Sequence, residues 1–534
     1  MRKQSVFLLA AIALLASCNS FNENGYKVDK VKANPSFYIP VAFGNLSMQS
    51  ALQDKVGNAQ LKTKPDGLLY LVYSSAKKTS VADGLPPLPP DEAFSYEVPL
   101  TAGTLAPTSS DKRTIVPAPI KTFSFGEKKL TEIQFKSTEL WVTVTASPSN
   151  ADAVFQAEFK LRSCTKDTKD GVAFSQTQAP SPSAVKYPLA GYVMTLTDNS
   201  FPFEITLIEK AHSATTVPSG SKLRIKLEFR SIDFKYMKGF FGSDVAIGIK
   251  PEGYEFVEVS DKFKDADISI VEPKLDFTIY NGVGAPCKVV LTKFEVVNKD
   301  KEIIALRTDP SSENISVNQP SGLGVDRAET RVKVTNGTEA FQKMPRRFDL
   351  NMTARINYDG LSTRRDNFCA DTSTVGWRFK LEVPMHGKAS KIYSRDTVSI
   401  NLSNLKIDQV DAATLIVKAS NEVPVDTYLQ IYLLNEKNVV SDSVITDDNL
   451  FVKSSRVGAN GELAEAGTTD KEINLNKDKI KKLSEAKKLV FLGSLRTARQ
   501  PSPVDVKFKS SQKINIQVGL RATMKLEYKT SNKN

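Results

Sequence analysis

The chain reads as all-β: a series of tandem Ig-like β-sandwich domains with few, short helices. Three observations carry that expectation. Apolar and polar residues alternate at a period of two in many short segments, as in Leu223-Arg224-Ile225-Lys226-Leu227-Glu228-Phe229 and Ile514-Asn515-Ile516-Gln517-Val518. Clusters of turn residues separate these segments, and only one stretch has convincing helical spacing. A strand–turn–strand unit also recurs at domain-scale spacing.

The repeat is visible in the residues themselves. Leu275-Asp276-Phe277-Thr278-Ile279-Tyr280-Asn281 leads through Pro286 to an apolar-rich run from Val289 to Val297. Leu415-Ile416-Val417-Lys418-Ala419-Ser420-Asn421 leads through Pro424 to Thr427–Leu434. A weaker copy runs from Leu140 to Ser147, then Pro148, then Ala153 to Leu161. The starts lie 275 − 140 = 135 and 415 − 275 = 140 residues apart, too long for a solenoid and right for successive domains. Two such strands cannot bury an apolar face by themselves and need a facing sheet.

Taken from the amino end, Arg2 and Lys3 precede an apolar run from Val6 to Ala16. That length suits a signal-peptide core and is too short to span a bilayer as a helix. The run closes on Leu15-Ala16-Ser17-Cys18, which resembles a bacterial lipobox. The resemblance implies cleavage before Cys18 and lipidation of its sulfur, with residues 1–17 as the signal peptide. Residues 18–34 then read as a flexible tether. Surface-exported lipoproteins of Bacteroidota carry acidic clusters just after the cysteine, whereas Glu23 alone occupies that region here. The face of the membrane is therefore open.

Order is expected from Pro35. Phe37–Phe43 reads as extended, Met48–Asp54 as a short helix capped by Ser47, and Leu68–Tyr73 as a buried strand. Leu85-Pro86-Pro87-Leu88-Pro89-Pro90 cannot join a central strand and reads as a rigid proline segment. Late in the chain Asn476 can cap a helix over 477–489, with Ile480, Leu483 and Leu489 on one face. The expected domains are 35–262, a β-rich region with a subdomain split near 120; 263–388, a middle sandwich; and 389–534, a C-terminal sandwich carrying the helix.

Composition limits the function classes. With 72 basic and 60 acidic residues the net charge is +12; loss of the leader with Arg2 and Lys3 leaves 70 − 60 = +10. Basic runs are short and interrupted by acids, as in Lys477-Asp478-Lys479, unlike a nucleic-acid stripe. Three cysteines follow Cys18, at 164, 287 and 369, with no zinc-like or Cys-x-x-Cys spacing. At most one disulfide can form among them, leaving an odd thiol, and buried single thiols are the expected state. The two histidines, His212 and His386, have no metal-spaced partner. No Gly-x-Ser-x-Gly elbow is present, and Gly282-Val283-Gly284 and Gly322-Leu323-Gly324 lack the strand-to-helix context of a phosphate cradle. Asp447-Asp448-Asn449 lacks the glutamate that closes a calcium loop. A fold could assemble a Cys/His nucleophile pair, for instance Cys369 with His386. No cofactor, metal site or catalytic residue is assigned.

Two features point to interactions. Tyr236, Met237, Phe240 and Phe241, flanked by Lys235 and Lys238 and bounded by glycines, form a candidate exposed turn for a membrane interface or a partner's pocket. The competing reading has these aromatics capping a sandwich core. Asp396-Thr397-Val398 and Asp442-Ser443-Val444 are similar to the Bacteroidota O-glycosylation motif, with Thr397 and Ser443 as acceptors.

Several segments together resemble a family of uncharacterised, multi-domain outer-membrane lipoproteins of Bacteroidota. They are Asn34–Val41, Asp233–Gly242, Leu381–Ser390 and Val504–Phe508. The resemblance implies an envelope location and β-rich domains, and no activity. The strand–turn–strand around Tyr280-Asn281 and Pro286 is also similar to the sandwich of late-embryogenesis-abundant proteins. The expected role is a non-catalytic structural or binding one at the outer membrane. The expected partners are the membrane itself, through the lipid, and an envelope protein or an anionic lipid or glycan. An envelope-assembly accessory is the alternative within that class, and a glycan-directed hydrolase the alternative outside it.

Overall fold

The computed structural model of the chain describes residues 30–47, 49, 58–117, 119–148, 154–256, 266–324, 327–399, 410–445, 450–498 and 504–529. Strands hold 63% of the residues and helices 4%, in several separate antiparallel sheets, so the fold is all-β and sandwich-built. Two compact units emerge. One comprises Met1–Ala51, Asp265–Asp267 and Gly387–Asn534; the other comprises Leu52–Lys264 and Ile268–His386.

The larger unit contains two pairs of facing sheets. In the first, a four-stranded sheet orders Val185–Pro188, Glu139–Ser147, Lys222–Arg230 and Asp91–Pro99. Alternation does what the sequence predicts: Leu223, Ile225, Leu227 and Phe229 are buried while the residues between them face outward. The facing sheet is built around Phe155–Lys166, Glu204–Glu209 and Lys129–Phe135. Rings bridge the two: Phe159 lies 6.0 Å from Tyr187, and Phe135 lies 6.3 Å from Phe229.

In the second pair, a six-stranded sheet carries Lys274–Asn281, Thr374–Pro384 and Leu69–Ser80 side by side. Its partner carries Val245–Glu255, Pro345–Ile356 and Cys287–Asn298. Phe277 against Phe294 at 4.9 Å, and Phe348 against Phe379 at 4.9 Å, fill the space between them. The sandwiches are not consecutive along the chain. Leu69–Ser80 pairs with Thr374–Pro384, and Phe234–Phe240 pairs with Asn367–Ala370, so the expected boundary at 262/263 runs through a shared core.

The smaller unit has a four-stranded sheet, Ser36–Ser47, Lys513–Met524, Val410–Asn421 and Gly467–Leu475. A second sheet orders Ile392–Ser399, Lys488–Thr497, Val425–Leu434 and Val440–Ile445. Asn476 caps the helix Lys477–Glu485, its side chain accepting from the Lys479 amide at 2.9 Å. Ile480 packs on Ala413 and Leu475. The helix stops at Glu485, short of the expected 489, because Leu489 is taken into the strand Lys488–Thr497 opposite Leu433. Pairing with an open sheet partner wins over one more helical turn.

The amino end brings two corrections. Residues 30–33, expected in the tether, form the strand Lys30–Ala33 paired with Leu526–Lys529. The next strand, Ser36–Ser47, pairs with Lys513–Met524, so it belongs with the C-terminal unit and not with residues that follow it. Apart from Gln49, the helix expected over 48–54 lies outside the described residues.

The repeat is confirmed in an unexpected form. Its two strands do not pair with each other. Lys274–Asn281 lies in one sheet and Cys287–Asn298 in the facing one, and Val410–Asn421 and Val425–Leu434 divide likewise. Glu139–Ser147 and Phe155–Lys166 repeat the arrangement. Each copy is an arch that closes one end of a sandwich.

Candidate binding site

The aromatic segment is not an exposed turn. Tyr236 to Phe240 lies within the strand Phe234–Phe240, hydrogen-bonded on one side to Lys129–Phe135 and on the other to Asn367–Ala370. Met237, Phe240 and Phe241 are 1%, 3% and 0% exposed, which removes them from any membrane or partner. Gly239 marks a bulge: its φ is +133°, the register with Lys129–Phe135 shifts there, and a Cβ would sit 2.3 Å from the Lys129 carbonyl oxygen. Tyr236 is half-buried, with the Lys238 ammonium 5.5 Å from its ring and Lys238 paired to Glu132 at 2.8 Å. Burial, then the Glu132 carboxylate, raises the Tyr236 phenol above its ordinary value. A strand with neighbours on both edges sends such side chains inward, so the core-capping reading holds.

The other candidates separate. Cys18 and Asp447-Asp448-Asn449 lie outside the described residues. Thr397 is exposed on Ile392–Ser399, whereas Ser443 is buried on Val440–Ile445 and closed to a glycosyl donor in the folded chain. Cys164, Cys287 and Cys369 are all free and buried. Burial pushes the thiols of Cys164 and Cys287 up to about 12 and that of Cys369 higher still, the opposite of what a nucleophile needs. His386, considered as its base, begins the strand His386–Ser390. His212 is held by Glu209 at 2.9 Å, with the Ser213 carbonyl on its other nitrogen.

What the larger unit does assemble is a cleft of about 380 Å³ on three pinned walls. The first is the proline segment. Ser80 caps a single helical turn, Val81–Gly84, and the Leu85 amide closes it onto the Val81 carbonyl at 2.9 Å. Residues 86–90 then run without sheet partners, as prolines must, until the Ile232 amide fastens the Pro90 carbonyl at 2.8 Å. The second wall is the connection 124–128. Buried Asn199 holds it, donating to the Lys128 carbonyl at 2.6 Å and accepting from the Leu130 amide at 2.7 Å. The third is Phe241, Gly242 and Val245, with the Gly242 carbonyl bound by Asn357 at 2.9 Å.

The wall is mostly apolar, and among the described residues Lys128 is the one basic residue lining it. Lys128 is 3% exposed, and among the described residues no hydrogen bond or ion pair reaches its Nζ. Glu127 lines the same cleft but is solvent-exposed, and no ion pair within 4.0 Å joins the two. Burial lowers the Lys128 ammonium below the usual lysine range, with the Cys369 sulfur acting weakly the other way. Sequence reasoning missed this residue. Lys128 and Lys129 stand side by side, and nothing local marks the first as enclosed.

A second, more polar cleft of about 410 Å³ lies where Gly284 and Phe368 bridge. Arg364 is tied to Asp359 at 2.7 Å, with its Nε buried and without a partner. Asn367, bound by Asn357 at 2.8 Å, lines it too.

No family model matches the chain, and no curated protein matches it. Among solved structures, it is similar to a protein of Parabacteroides distasonis inferred to be secreted. The two share 10% identity over 91% of this chain and 99% of that one, with a TM-score of 0.27. The VP2 subviral particle of infectious bursal disease virus follows at 8% identity, 84% and 75% coverage and a TM-score of 0.15. At such values neither likeness bears on activity, location or partners.

Proposed function

We propose that the chain is an outer-membrane lipoprotein, held by acyl groups on Cys18, whose β-built units serve a non-catalytic binding or structural role. The observation that carries this reading is how soon after the cysteine the fold begins. The strand Lys30–Ala33 is already paired, so residues 19–29 alone separate it from Cys18. Fully extended, eleven residues reach about 40 Å at most. A body on so short a leash works at the membrane surface.

The same strands suit an anchor. Ser36–Ser47 runs antiparallel along the whole of Lys513–Met524, so a pull on the amino end loads many ladder hydrogen bonds together. Lipid attachment needs more than one acyl chain to hold firmly, which a diacylated cysteine supplies.

The test is metabolic labelling with an alkyne fatty acid in a bacterial host, with membrane fractionation of wild type and Cys18→Ala. Labelled wild type in the outer membrane, and unlabelled variant carrying its leader, is the expected result. Unlabelled wild-type protein recovered soluble would overturn the reading.

A further inference from the structure

We propose that the cleft between the proline segment 86–90 and the connection 124–128 binds a small apolar carboxylate, with Lys128 as its counter-ion. The argument starts from an imbalance. A buried ammonium is costly unless something compensates it, and folded chains pair nearly all such groups. Lys128 is enclosed to 3% exposure and has no hydrogen-bond or ion-pair partner among the described residues. Lys128 lines the cleft, and a counter-ion reaches it from there.

The rest of the wall specifies what accompanies the charge. Leu88, Phe125, Phe241 and Val245 with the prolines present hydrocarbon and almost no hydrogen-bonding groups. Prolines lack the amide donor that would otherwise hold water there. One cation in an apolar wall matches a ligand with one negative head and an apolar body. A phosphate dianion would call for a second cation or converging amides, and among the described residues no arginine and no second lysine lines the cleft. Exposed Glu127 sits at the rim, where solvent screens its repulsion. The volume, about 380 Å³, is near the lower end for ligand sites and suits a single medium-length chain, not a diacyl lipid.

The cleft is also ready-made. Asn199, Asn357 and the Ile232 amide each fix one wall through hydrogen bonds of 2.6 to 2.9 Å, so binding needs little ordering of the site. Acylation at Cys18 plays no part in this binding, and failure here would leave the anchoring proposal untouched.

Calorimetric titration of the full mature chain with sodium decanoate, and separately with decan-1-ol, tests the assignment. Wild type should take up decanoate saturably at one site. Lys128→Met keeps the bulk and removes the charge; it should weaken decanoate about tenfold or more while leaving decanol unchanged. Should that variant not fold, acetic anhydride footprinting of wild type replaces it, with decanoate but not decanol shielding Lys128 from acetylation. Absence of saturable decanoate binding, equal affinity in the variant, or an unshielded Lys128 would each overturn the proposal.

Discussion

Asn281 and Asn421, 421 − 281 = 140 positions apart, close the same arch in two different units. Each is fully buried and ends a strand. The Asn281 Oδ1 accepts from the Val283 amide at 2.9 Å, and the Asn421 Oδ1 accepts from the Val423 amide at 2.8 Å. Their amide groups donate onward, Asn281 to the Asn318 carbonyl and Asn421 to those of Val425 and Lys453. One side chain thus replaces the ladder partners that the backbone loses as it crosses between sheets.

Asn281→Ala and Asn421→Ala should each cost about 2 kcal/mol or more, because buried groups are left unpaired. Hydrogen exchange read by mass spectrometry should speed up at the arch that is altered and not at the other. Equal loss at both arches would contradict local stapling.

Gly239→Ala should destabilise the larger unit by more than about 3 kcal/mol, since a Cβ there meets the Lys129 backbone at a φ that L residues avoid. Phe240→Ser should do likewise through core loss, lowering the denaturant midpoint. Normal stability in either variant would return this segment to the surface.

The three thiols should be silent in the native state. Ellman's reagent at pH 8 should find none of Cys164, Cys287 and Cys369, and all three after guanidinium denaturation. Rapid native labelling of any one would contradict its burial.

Lys128 carries a pH signature. Its proton is held less tightly folded than unfolded, so the unfolded chain binds more protons between the two values and stability rises with pH there. Lys128→Met should gain most over wild type near neutral pH, and the advantage should shrink as pH climbs toward the ordinary lysine range. Glu127 lines the same cleft, and the Cys369 thiol acts on the Lys128 ammonium. A difference independent of pH in chemical denaturation would count against it.

His212 has the opposite sign. The Ser213 carbonyl and then Glu209 raise its value, with Lys112 opposing, so its contribution is complete at pH below the unfolded value and fades as pH rises through the folded one. His212→Gln should lower the melting temperature at about pH 5.5 and leave it unchanged at about pH 8.5. A shift of equal size at both would remove the ion pair as its source.

Much of this architecture was legible before any coordinates. Strand positions such as Lys222–Arg230, the Asn476 cap and the recurrence of Asn281 and Asn421 are local matters, written in period, propensity and turn chemistry. The aromatic segment misled because Gly239 signals a turn and a bulge alike. The helix end misled because a strand partner for Leu489 lies more than fifty residues away.

By itself the sequence determined an all-β chain, its repeat, a lipobox-like motif and which faces of its strands are apolar. Tertiary structure alone decided which sheet each strand joins, that Met237 and Phe240 are interior, and that Lys128 is enclosed with no hydrogen-bond or ion-pair partner among the described residues. The reason is range. Alternation is set by neighbours along the chain, whereas enclosure depends on segments such as 86–90, 124–128 and 241–245 that meet only when distant strands have paired.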